Sequence, residues 1–375
     1  MVVGAGIIGL ASAWRAAERG LSVLVLERDV EGAGASGVAA GMLAPVTEAL
    51  FGEEPLLRLN LESGRMWESF DGELREASGG LPTHRDSKGA LVLAADRDDA
   101  EELRRLHAFQ RELGLDTEWL SGRECRRLEP GLSPRVPGGI LAPHESQVDP
   151  AATVTALAAA LEHAGGEIRR GEAAAELLHD GEHVQGVRTG SGATVESEHV
   201  LLAAGCWSAQ LARVPPEALP PVRPVKGQIL SLHSRGGEPL IRRMVHTPRC
   251  YMVARPDGRV VIGATVEERG FDTAVTADGV YRLLEAAWEV LPDIGELEFV
   301  GAQTGLRPGT PDNAPVIGAA GPDGLLVATG HYRNGVLLAP ITAEAIAALA
   351  AGDEPPAQVA PFSPARFGAV AGGAR

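Results

Sequence analysis

Three glycines near the start of the chain have the spacing of a loop that holds the phosphates of a dinucleotide. Gly4, Gly6 and Gly9 stand in the run VVGAGIIG. In such a loop the first glycine makes the strand-to-helix turn, the second lets backbone N–H groups approach a pyrophosphate, and the third lets the helix pack against the sheet. The dipole at the helix N-terminus also stabilises the phosphate charge. We expect these glycines, with Ile7 and Ile8, to bind a dinucleotide.

An acidic residue follows the glycines at the distance that such a site requires. The spacing of apolar residues predicts a helix from about Ile7 to Arg19, ended by Gly20, and then an apolar strand over residues 21–26. Glu27 closes that strand, where a carboxylate accepts hydrogen bonds from both adenosine ribose hydroxyls. The same carboxylate would repel the 2′-phosphate of NADP. The alternative is an ordinary strand–helix–strand unit with a glycine-rich turn.

The first strand is short in this sequence. Only Met1, Val2 and Val3 precede the first glycine, whereas strands usually have about five or six residues. We expect either a short first strand or a natural start a few residues upstream, and a clipped strand would hold the cofactor less firmly.

Composition indicates a globular chain of two domains. The 375 residues exceed one usual domain, and 45% are hydrophobic while 22% are charged. A net charge of −16, with only Lys88 and Lys226 as lysines, argues against nucleic acid as a partner. Without an 18-residue apolar run or a secretory signal, a cytoplasmic protein with no integral membrane segment is expected. Cys125, Cys206 and Cys250 are too far apart for a metal motif, and buried free thiols are expected.

The predicted strands and helices fall into two groups, one that belongs to the nucleotide domain and one that forms an antiparallel sheet. An alanine-rich helix runs from Asp149 and Pro150 to His163, and short strands follow at 167–170, 174–178, 184–189 and 193–198, the last two as a hairpin. The apolar run 199–205 is typical of a strand buried on both faces of the nucleotide sheet. Strands at 228–232, 250–255, 259–263 and 297–304, with a helix at 277–291, indicate an antiparallel sheet. A strand at 324–329, a loop at 330–335 and a helix at 336–349 return to the nucleotide domain.

Five further motifs are spread along the chain: AAGMLAP at 39–45, AGCWS at 204–208, IGAT at 262–265, GLRP at 305–308 and HYRNG at 331–335. With the glycine loop they make the chain similar, over nearly its whole length, to the FAD-dependent D-amino-acid oxidase superfamily and most of all to the glycine oxidases of thiamine biosynthesis. The resemblance implies an α/β fold, in which a Rossmann-like FAD-binding domain of the glutathione-reductase type carries an inserted α+β substrate domain with an antiparallel sheet. The FAD-binding domain would comprise residues 1–78, 147–214 and 308–356, the substrate domain 79–146 and 215–307, and the C-terminal tail 357–375.

The resemblance also implies roles for individual residues. Tyr251 and Arg307 match residues that bind the substrate carboxylate, Arg333 matches a neighbour of flavin and substrate, and Met42 matches a pocket wall. Val266 stands where relatives often have a methionine near the substrate. Beyond the glycine loop and Glu27, the implied FAD contacts are Arg28, Ser36, Gly41, Met42, Leu43, Ala174, Gly205, Trp207, Gly330, His331, Arg333, Asn334, Gly335 and Val336.

Oxidation of an α-amino acid by flavin requires few side chains. Hydride transfer from Cα needs no dedicated acid or base when the substrate amine is neutral, so no residue is assigned as a catalytic acid or base and none as a metal ligand. Arg307 would hold the carboxylate as a bidentate fork, with the Tyr251 hydroxyl as a second donor. Structural alternatives remain, because Arg307 could pair with a surface carboxylate, Tyr251 could be a core aromatic, and Arg333 could cap its loop.

The predicted function is oxidation of glycine, with sarcosine and small D-amino acids as further substrates, O2 as oxidant and an imine product for thiamine thiazole synthesis. Sarcosine oxidases carry a flavin-linking cysteine before a Thr-Pro-Asp segment. Residues 305–309, before Thr310, contain no cysteine, so FAD is expected to be non-covalent. Relatives suggest a homotetramer or dimer. The alternatives are a D-amino-acid dehydrogenase with another electron acceptor, a flavin domain acting on tRNA, and a non-catalytic nucleotide sensor.

Overall fold

The computed structural model describes residues 1–236 and 239–367. In these residues the chain forms eight α-helices: α1 (Ile7–Glu18), α2 (Ala35–Val38), α3 (Glu54–Ala77), α4 (Arg97–Glu112), α5 (Gly122–Leu128), α6 (Pro150–His163), α7 (Ala277–Val290) and α8 (Ala339–Ala351). Short 3-10 segments cover Gly205–Gln210, Pro292–Glu296, Ala357–Phe362 and Pro364–Phe367.

The same residues form nineteen strands: β1 (Val2–Val3), β2 (Leu24–Leu26), β3 (Met42–Leu43), β4 (Ala90–Leu93), β5 (Glu118–Ser121), β6 (Gly138–Ala142), β7 (Ser146–Gln147), β8 (Glu167–Arg169), β9 (Ala174–His179), β10 (Val184–Thr189), β11 (Thr194–Glu196), β12 (Val200–Leu202), β13 (Arg223–His233), β14 (Met244–His246), β15 (Tyr251–Ala254), β16 (Arg259–Gly263), β17 (Glu298–Gly309), β18 (Val316–Ala319) and β19 (Leu325–Thr329).

A six-stranded sheet carries the glycine loop. Its order is β18-β19-β12-β1-β2-β8, and all its pairs are parallel except β18 with β19. The two-residue strand β1 lies between β12 and β2, so the glycine loop leaves the middle of the sheet. All three residues of β12 are buried, which confirms the strand predicted there. Parallel strands with helices alongside are the expected setting for a dinucleotide site.

Helices α1, α3, α6 and α8 form the main apolar core on one face of this sheet. Ten of the twelve residues of α1 are buried. Trp14, Trp67 and Phe70 pack together in that core, with edge-to-face ring contacts at centroid distances of 5.3 Å. Trp67 donates its Nε1 hydrogen bond to the Leu337 carbonyl at 2.9 Å. The long helix α3 is thereby fixed to the segment that precedes α8. Helices α3, α4 and α5 were not predicted from the sequence.

An eight-stranded sheet, in the order β17-β13-β16-β15-β14-β4-β6-β5, forms the second layer. Its pairs are antiparallel, as predicted, except for the parallel pair of β14 and β4. Helix α7 packs on it through Leu283, Ala286 and Ala287, which belong to a core separate from that of the first sheet. The α/β fold predicted from the sequence is therefore confirmed. A small sheet of β11, β10 and β9 covers the other face of the six-stranded sheet, and β10 and β11 form the predicted hairpin.

Each of the two large sheets takes its strands from its own set of chain segments. The strands of the six-stranded sheet come from residues 1–78, 147–214 and 308–356. Those of the eight-stranded sheet come from 79–146 and 215–307, except that β17 extends to Gly309. The division into two domains stays a prediction. In the predicted tail, Val359 and Phe362 are buried against the main core, and residues 368–375 lie outside the described residues.

Several predicted boundaries were wrong. Strand β13 begins at Arg223 instead of 228, and β17 ends at Gly309 instead of 304, because the two strands pair without interruption from Arg223↔Gly309 to Ser231↔Gly301. Pro224 faces Pro308 in this ladder, and these prolines conceal the strands in the sequence. Arg307 therefore lies inside a strand, not after one. Strand β2 is shorter than predicted, and α8 begins at Ala339 because 336–338 form turns.

Two sequence predictions concern burial and membranes. Cys125, Cys206 and Cys250 are free and buried, as expected. None of the helices in residues 1–236 and 239–367 is long and apolar enough to span a membrane.

Candidate active site

A cavity of about 460 Å³ lies where the two large sheets meet. Its floor includes the carboxyl-terminal residues of four parallel strands, namely Val3, Leu26, Leu202 and Thr329. Ligands of open α/β sheets bind at this edge. The opposite wall is formed by β13, β15 and β17, through Gly227, Ile229, Tyr251 and 305–308. The cavity thus extends from the glycine loop to the antiparallel sheet.

The glycine loop has no room for side chains. Gly4 has φ of +104°, and a Cβ there would stand 2.8 Å from the Ala203 carbonyl oxygen. A Cβ on Gly9 would stand 2.0 Å from the carbonyl oxygen of Gly4, which explains the close packing of α1 on the strand end. Ser36 Oγ accepts a hydrogen bond from the Ile7 N–H at 3.0 Å. The hydroxyl of Ser36 therefore lies over the first turn of α1, where a phosphate would bind.

The acidic residue and an aromatic stack stand at one end of the cavity. Glu27 accepts backbone hydrogen bonds from Ala5 at 2.7 Å and from Asp29 at 3.0 Å, one on each oxygen. These bonds orient the carboxylate and leave further lone pairs for ribose hydroxyls. The Arg28 guanidinium lies 3.9 Å from the ring centroid of Trp207, and both residues line the cavity. This end therefore suits an adenosine group.

The loop at residues 39–42 lies between the two sheets. Gly41 has φ of +77°, and a Cβ there would stand 2.0 Å from the Val148 carbonyl oxygen. The buried Arg255 donates hydrogen bonds to the carbonyls of Val148, at 2.9 Å, and Ala40, at 2.5 Å. Met42 pairs with Gln147 in the ladder of β3 and β7. The backbone of this loop is thus fixed beside the cavity, where a flat ring could lie against it.

The loop that follows β19 contributes residues 331–336 to the lining. His331 is buried, and its Nε2 makes a hydrogen bond with Thr342 Oγ1 at 3.0 Å. Burial lowers the pKa of His331 to about 3, so its imidazole is neutral at physiological pH. Asn334 is also buried, and its backbone carbonyl accepts the Leu338 N–H at 2.8 Å. His331 therefore ties the loop to α8, which fits a structural role.

Tyr251 and Arg307 lie on the strands that close the other end of the cavity. The Arg307 side chain lies across Gly227 of the neighbouring strand β13, and its Nη1 donates to the Thr265 carbonyl at 3.1 Å. The Tyr251 ring lies across Gly263, where a Cβ would stand 2.2 Å from the phenolic oxygen. Burial raises the pKa of Tyr251, so its hydroxyl stays protonated and can donate. Two glycines thus give both side chains their positions.

Glu48 was missed in the sequence, although it lines the same end of the cavity. Its carboxylate Oε2 lies 3.7 Å from Arg333 Nε. Burial raises the pKa of Glu48, while the positive charges of Arg333 and Arg307 oppose that rise. In the sequence, Glu48 is visible only as an acidic residue three positions after the AAGMLAP motif. The motif ends at Pro45 and therefore does not include it.

The structure brings most of the predicted site residues together and leaves a few apart. Gly9, Leu43 and Gly330 lie behind the cavity wall instead of in it. Val266 is 63% exposed and also does not line the cavity. The other predicted contacts line it: Gly4, Gly6, Ile7, Ile8, Glu27, Arg28, Ser36, Gly41, Met42, Ala174, Gly205, Trp207, Tyr251, Arg307, His331, Arg333, Asn334, Gly335 and Val336. Within residues 1–236 and 239–367, no cluster of three or more histidine, cysteine or acidic residues could hold a metal ion.

Comparison with known proteins agrees with this arrangement. A family model described as FAD dependent oxidoreductase (DAO) matches residues 1–349. A glycine oxidase of Geobacillus kaustophilus is 35% identical over 367 residues, which cover 96% of this chain and 95% of that protein. A putative thiamine biosynthesis oxidoreductase ThiO of Rhizobium etli is 34% identical over 353 residues, covering 92% and 94% of the two chains. The crystal structure of glycine oxidase from Geobacillus kaustophilus aligns with a TM-score of 0.89 at 34% identity and covers 96% of each chain.

Proposed function

Because this chain belongs to the DAO family of FAD-dependent oxidoreductases, we propose that it is an oxidase that deaminates glycine. FAD is its cofactor. The residues of the cavity fit that group: a glycine loop at a helix N-terminus for the pyrophosphate, Glu27 for the ribose, and Arg28 with Trp207 for the adenine. The fixed loop at 39–42 and residues 331–336 would then hold the isoalloxazine ring.

The convergence of Arg307 and Tyr251 at the end of the cavity carries this proposal. A guanidinium provides two parallel N–H donors for a carboxylate, and the Tyr251 hydroxyl provides a third. Both side chains are held by neighbouring strands, so they can orient a small substrate before it reacts. Such positioning lowers the barrier without any side chain that transfers a proton.

Bound FAD would supply the acceptor for a hydride from the substrate Cα, and O2 would then take up the two electrons and yield hydrogen peroxide. The imine that remains is hydrolysed to glyoxylate and ammonia, or it is consumed before hydrolysis in thiazole synthesis. The name of the Rhizobium etli relative supports a role in thiamine biosynthesis. Sarcosine and small D-amino acids are proposed as further substrates, because Met42 and Ile229 line the cavity and pack in one apolar cluster with Tyr251, which would limit side-chain size.

The direct test mixes the purified yellow protein with glycine in the absence of oxygen and follows bleaching of the flavin absorbance. Air is then admitted, and peroxide, ammonia and glyoxylate are quantified. The three products are expected in equal amounts. Acetate serves as the control, since it has the carboxylate but no amine. Failure of glycine to bleach the flavin would refute the proposal. Bleaching without peroxide would indicate a dehydrogenase with another acceptor. Light scattering and cell fractionation test the homo-oligomer and the cytoplasmic location, which stay predictions.

A further inference from the structure

Glu48 is an acidic side chain inside a pocket that is expected to bind an acid. It lines the cavity with Tyr251, Arg307 and Arg333, and 16% of its side chain is exposed. Its Oε2 is buried and has no hydrogen-bond donor within residues 1–236 and 239–367. The 3.7 Å to Arg333 Nε is an ion-pair distance and too long for a hydrogen bond. The carboxylate thus has an open acceptor within the pocket.

The backbone, not the carboxylate itself, holds Glu48 in this position. Glu145 Oε1 accepts the N–H groups of Val46 at 2.8 Å and Thr47 at 2.7 Å, and its Oε2 accepts the Thr47 hydroxyl at 2.8 Å. Gln110 Nε2 donates to the Val46 carbonyl at 3.0 Å. The segment before Glu48 is therefore anchored on both sides. A buried carboxylate that contributes no hydrogen bond to its own segment points to a role toward the ligand.

When Glu48 is ionised, the charges at this end of the cavity add up to a single positive charge, since Arg307 and Arg333 each carry one positive charge and Tyr251 is neutral. Burial raises the pKa of Glu48 and the two guanidinium groups oppose that rise, so mildly alkaline conditions favour this charge state. A substrate with one carboxylate and a neutral amine brings one negative charge, which balances the site. A second carboxylate would face Glu48 without a free cation to meet it, and like charges in a partly dry pocket repel each other strongly.

We propose that Glu48 restricts the site to substrates with one carboxylate, by neutralising Arg333 and leaving Arg307 to bind the substrate. This inference rests on the proposed function, since it specifies which amino acids that pocket accepts. Removal of the negative charge would leave two guanidinium groups in the pocket. The pocket would then match a dicarboxylate amine such as iminodiacetate.

The test compares two substrates that differ mainly in charge. N-ethylglycine and iminodiacetate share the secondary amine and one carboxylate, and a methyl group in the first is replaced by a carboxylate in the second. In Glu48→Gln under mildly alkaline conditions, the ratio of kcat/KM for iminodiacetate to that for N-ethylglycine should rise at least about tenfold over the unmodified protein. Glu53→Gln is the matched control: Glu53 acts on Glu48 electrostatically but does not line the cavity, so the ratio should stay within about twofold.

A binding measurement separates this proposal from the proposed reaction. Titration with malonate and with propionate, followed by the flavin difference spectrum, gives two dissociation constants without turnover. Glu48→Gln should improve malonate binding relative to propionate about tenfold, and Arg333→Gln should weaken it. Because the two variants are expected to change malonate binding in opposite directions, either one alone tests the proposal if the other does not fold. An unchanged ratio in a folded, FAD-loaded Glu48→Gln protein would overturn the proposal. If the unmodified protein bound these ligands but did not oxidise glycine, only the proposed function would fail.

Discussion

The guanidinium of Arg307 occupies the space that a side chain on Gly227 would need. A Cβ built on Gly227 would stand 2.2 Å from Arg307 Nη1 and 2.5 Å from Nη2. The two residues lie on adjacent antiparallel strands, where Val225 pairs with Arg307 and Gly227 with Gly305. The absence of a side chain at 227 therefore fixes where the proposed carboxylate fork lies.

Gly227→Ala should impair substrate binding while the fold survives. The atoms that a new methyl group meets belong to the flexible end of an arginine, so the strain is relieved by moving that side chain. A displacement of about 1 Å in a positioning group can cost up to roughly 100-fold in rate. We expect KM for glycine to rise at least about tenfold, with Tm nearly unchanged. Gly301→Ala, on the neighbouring strand β17 that carries Arg307 and with nothing within 4 Å of the new Cβ, is the control and should leave KM unchanged.

Substitution of Arg307 separates charge from geometry. The loss of a charge-assisted pair in a buried site costs about 1.5–3 kcal/mol, or roughly 10- to 100-fold in affinity. Arg307→Ala should raise KM for glycine by about that factor and leave the visible spectrum of bound FAD unchanged. Arg307→Lys keeps the positive charge but not the two parallel N–H donors, so its KM should lie between that of Arg307→Ala and that of the unmodified protein. Steady-state kinetics with unaltered KM in Arg307→Ala would remove this residue from the site.

Arg255→Lys should loosen the loop that faces the proposed flavin position. The guanidinium reaches the carbonyls of both Val148 and Ala40, whereas a single ammonium group cannot replace this two-pronged contact. A buried carbonyl left without its donor costs about 1–3 kcal/mol. We expect a lower Tm and a dissociation constant for FAD that is several-fold higher, measured by fluorescence titration of the apoprotein. Equal FAD affinity in the variant would show that this anchor does not support the cofactor.

Glu145 should make the free energy of unfolding depend on pH. Burial raises the pKa of Glu145 from its ordinary value of 4.5 to about 7, with ionised Glu48 adding to the rise. The folded state then holds this proton more tightly than the unfolded state, so stability from this group is complete below about pH 4.5 and falls as the pH approaches 7. In Glu145→Gln the amide oxygen can still accept both backbone N–H groups. The free energy of unfolding should therefore fall less between these two pH values than it does in the unmodified protein. Urea unfolding across this range measures it, with the exposed Glu198→Gln as control.

Acid precipitation should release all of the flavin into the supernatant. Cys206 lines the cavity, but burial raises the pKa of its thiol to about 12. A thiol of this kind is almost entirely protonated at neutral pH, and the thiolate is the nucleophile that would attach to flavin. Residues 305–309 also contain no cysteine. Yellow colour that stayed with the denatured pellet would contradict the prediction of non-covalent FAD.

The sequence determined the nucleotide half of the protein because its signals are local. The spacing of three glycines, the helical period of α1 and the acid after β2 all act within one strand–helix–strand unit, and each lies as predicted. The capping residue Asp149 likewise accepts hydrogen bonds from the N–H groups of Ala151 and Ala152. The start of α6 could therefore be predicted from a few adjacent residues. Local chemistry of this kind is independent of the remaining chain.

Other features depended on partners far along the chain. The strand that carries Arg307 was hidden by Pro308 and by glycines, and only its pairing with β13 over eleven registered positions extends it to Gly309. Glu48 gave no periodic signal either. Its proximity to Arg333 arises because Glu145, about a hundred positions later, fixes the segment before it.

The sequence by itself therefore determined the kind of cofactor and the class of reaction, since these follow from short motifs and their resemblance. The tertiary structure decided which charges share the pocket and which glycines make room for the substrate-binding side chains. These properties depend on contacts between strands and loops that are distant in sequence, and such contacts form only when the two sheets pack together.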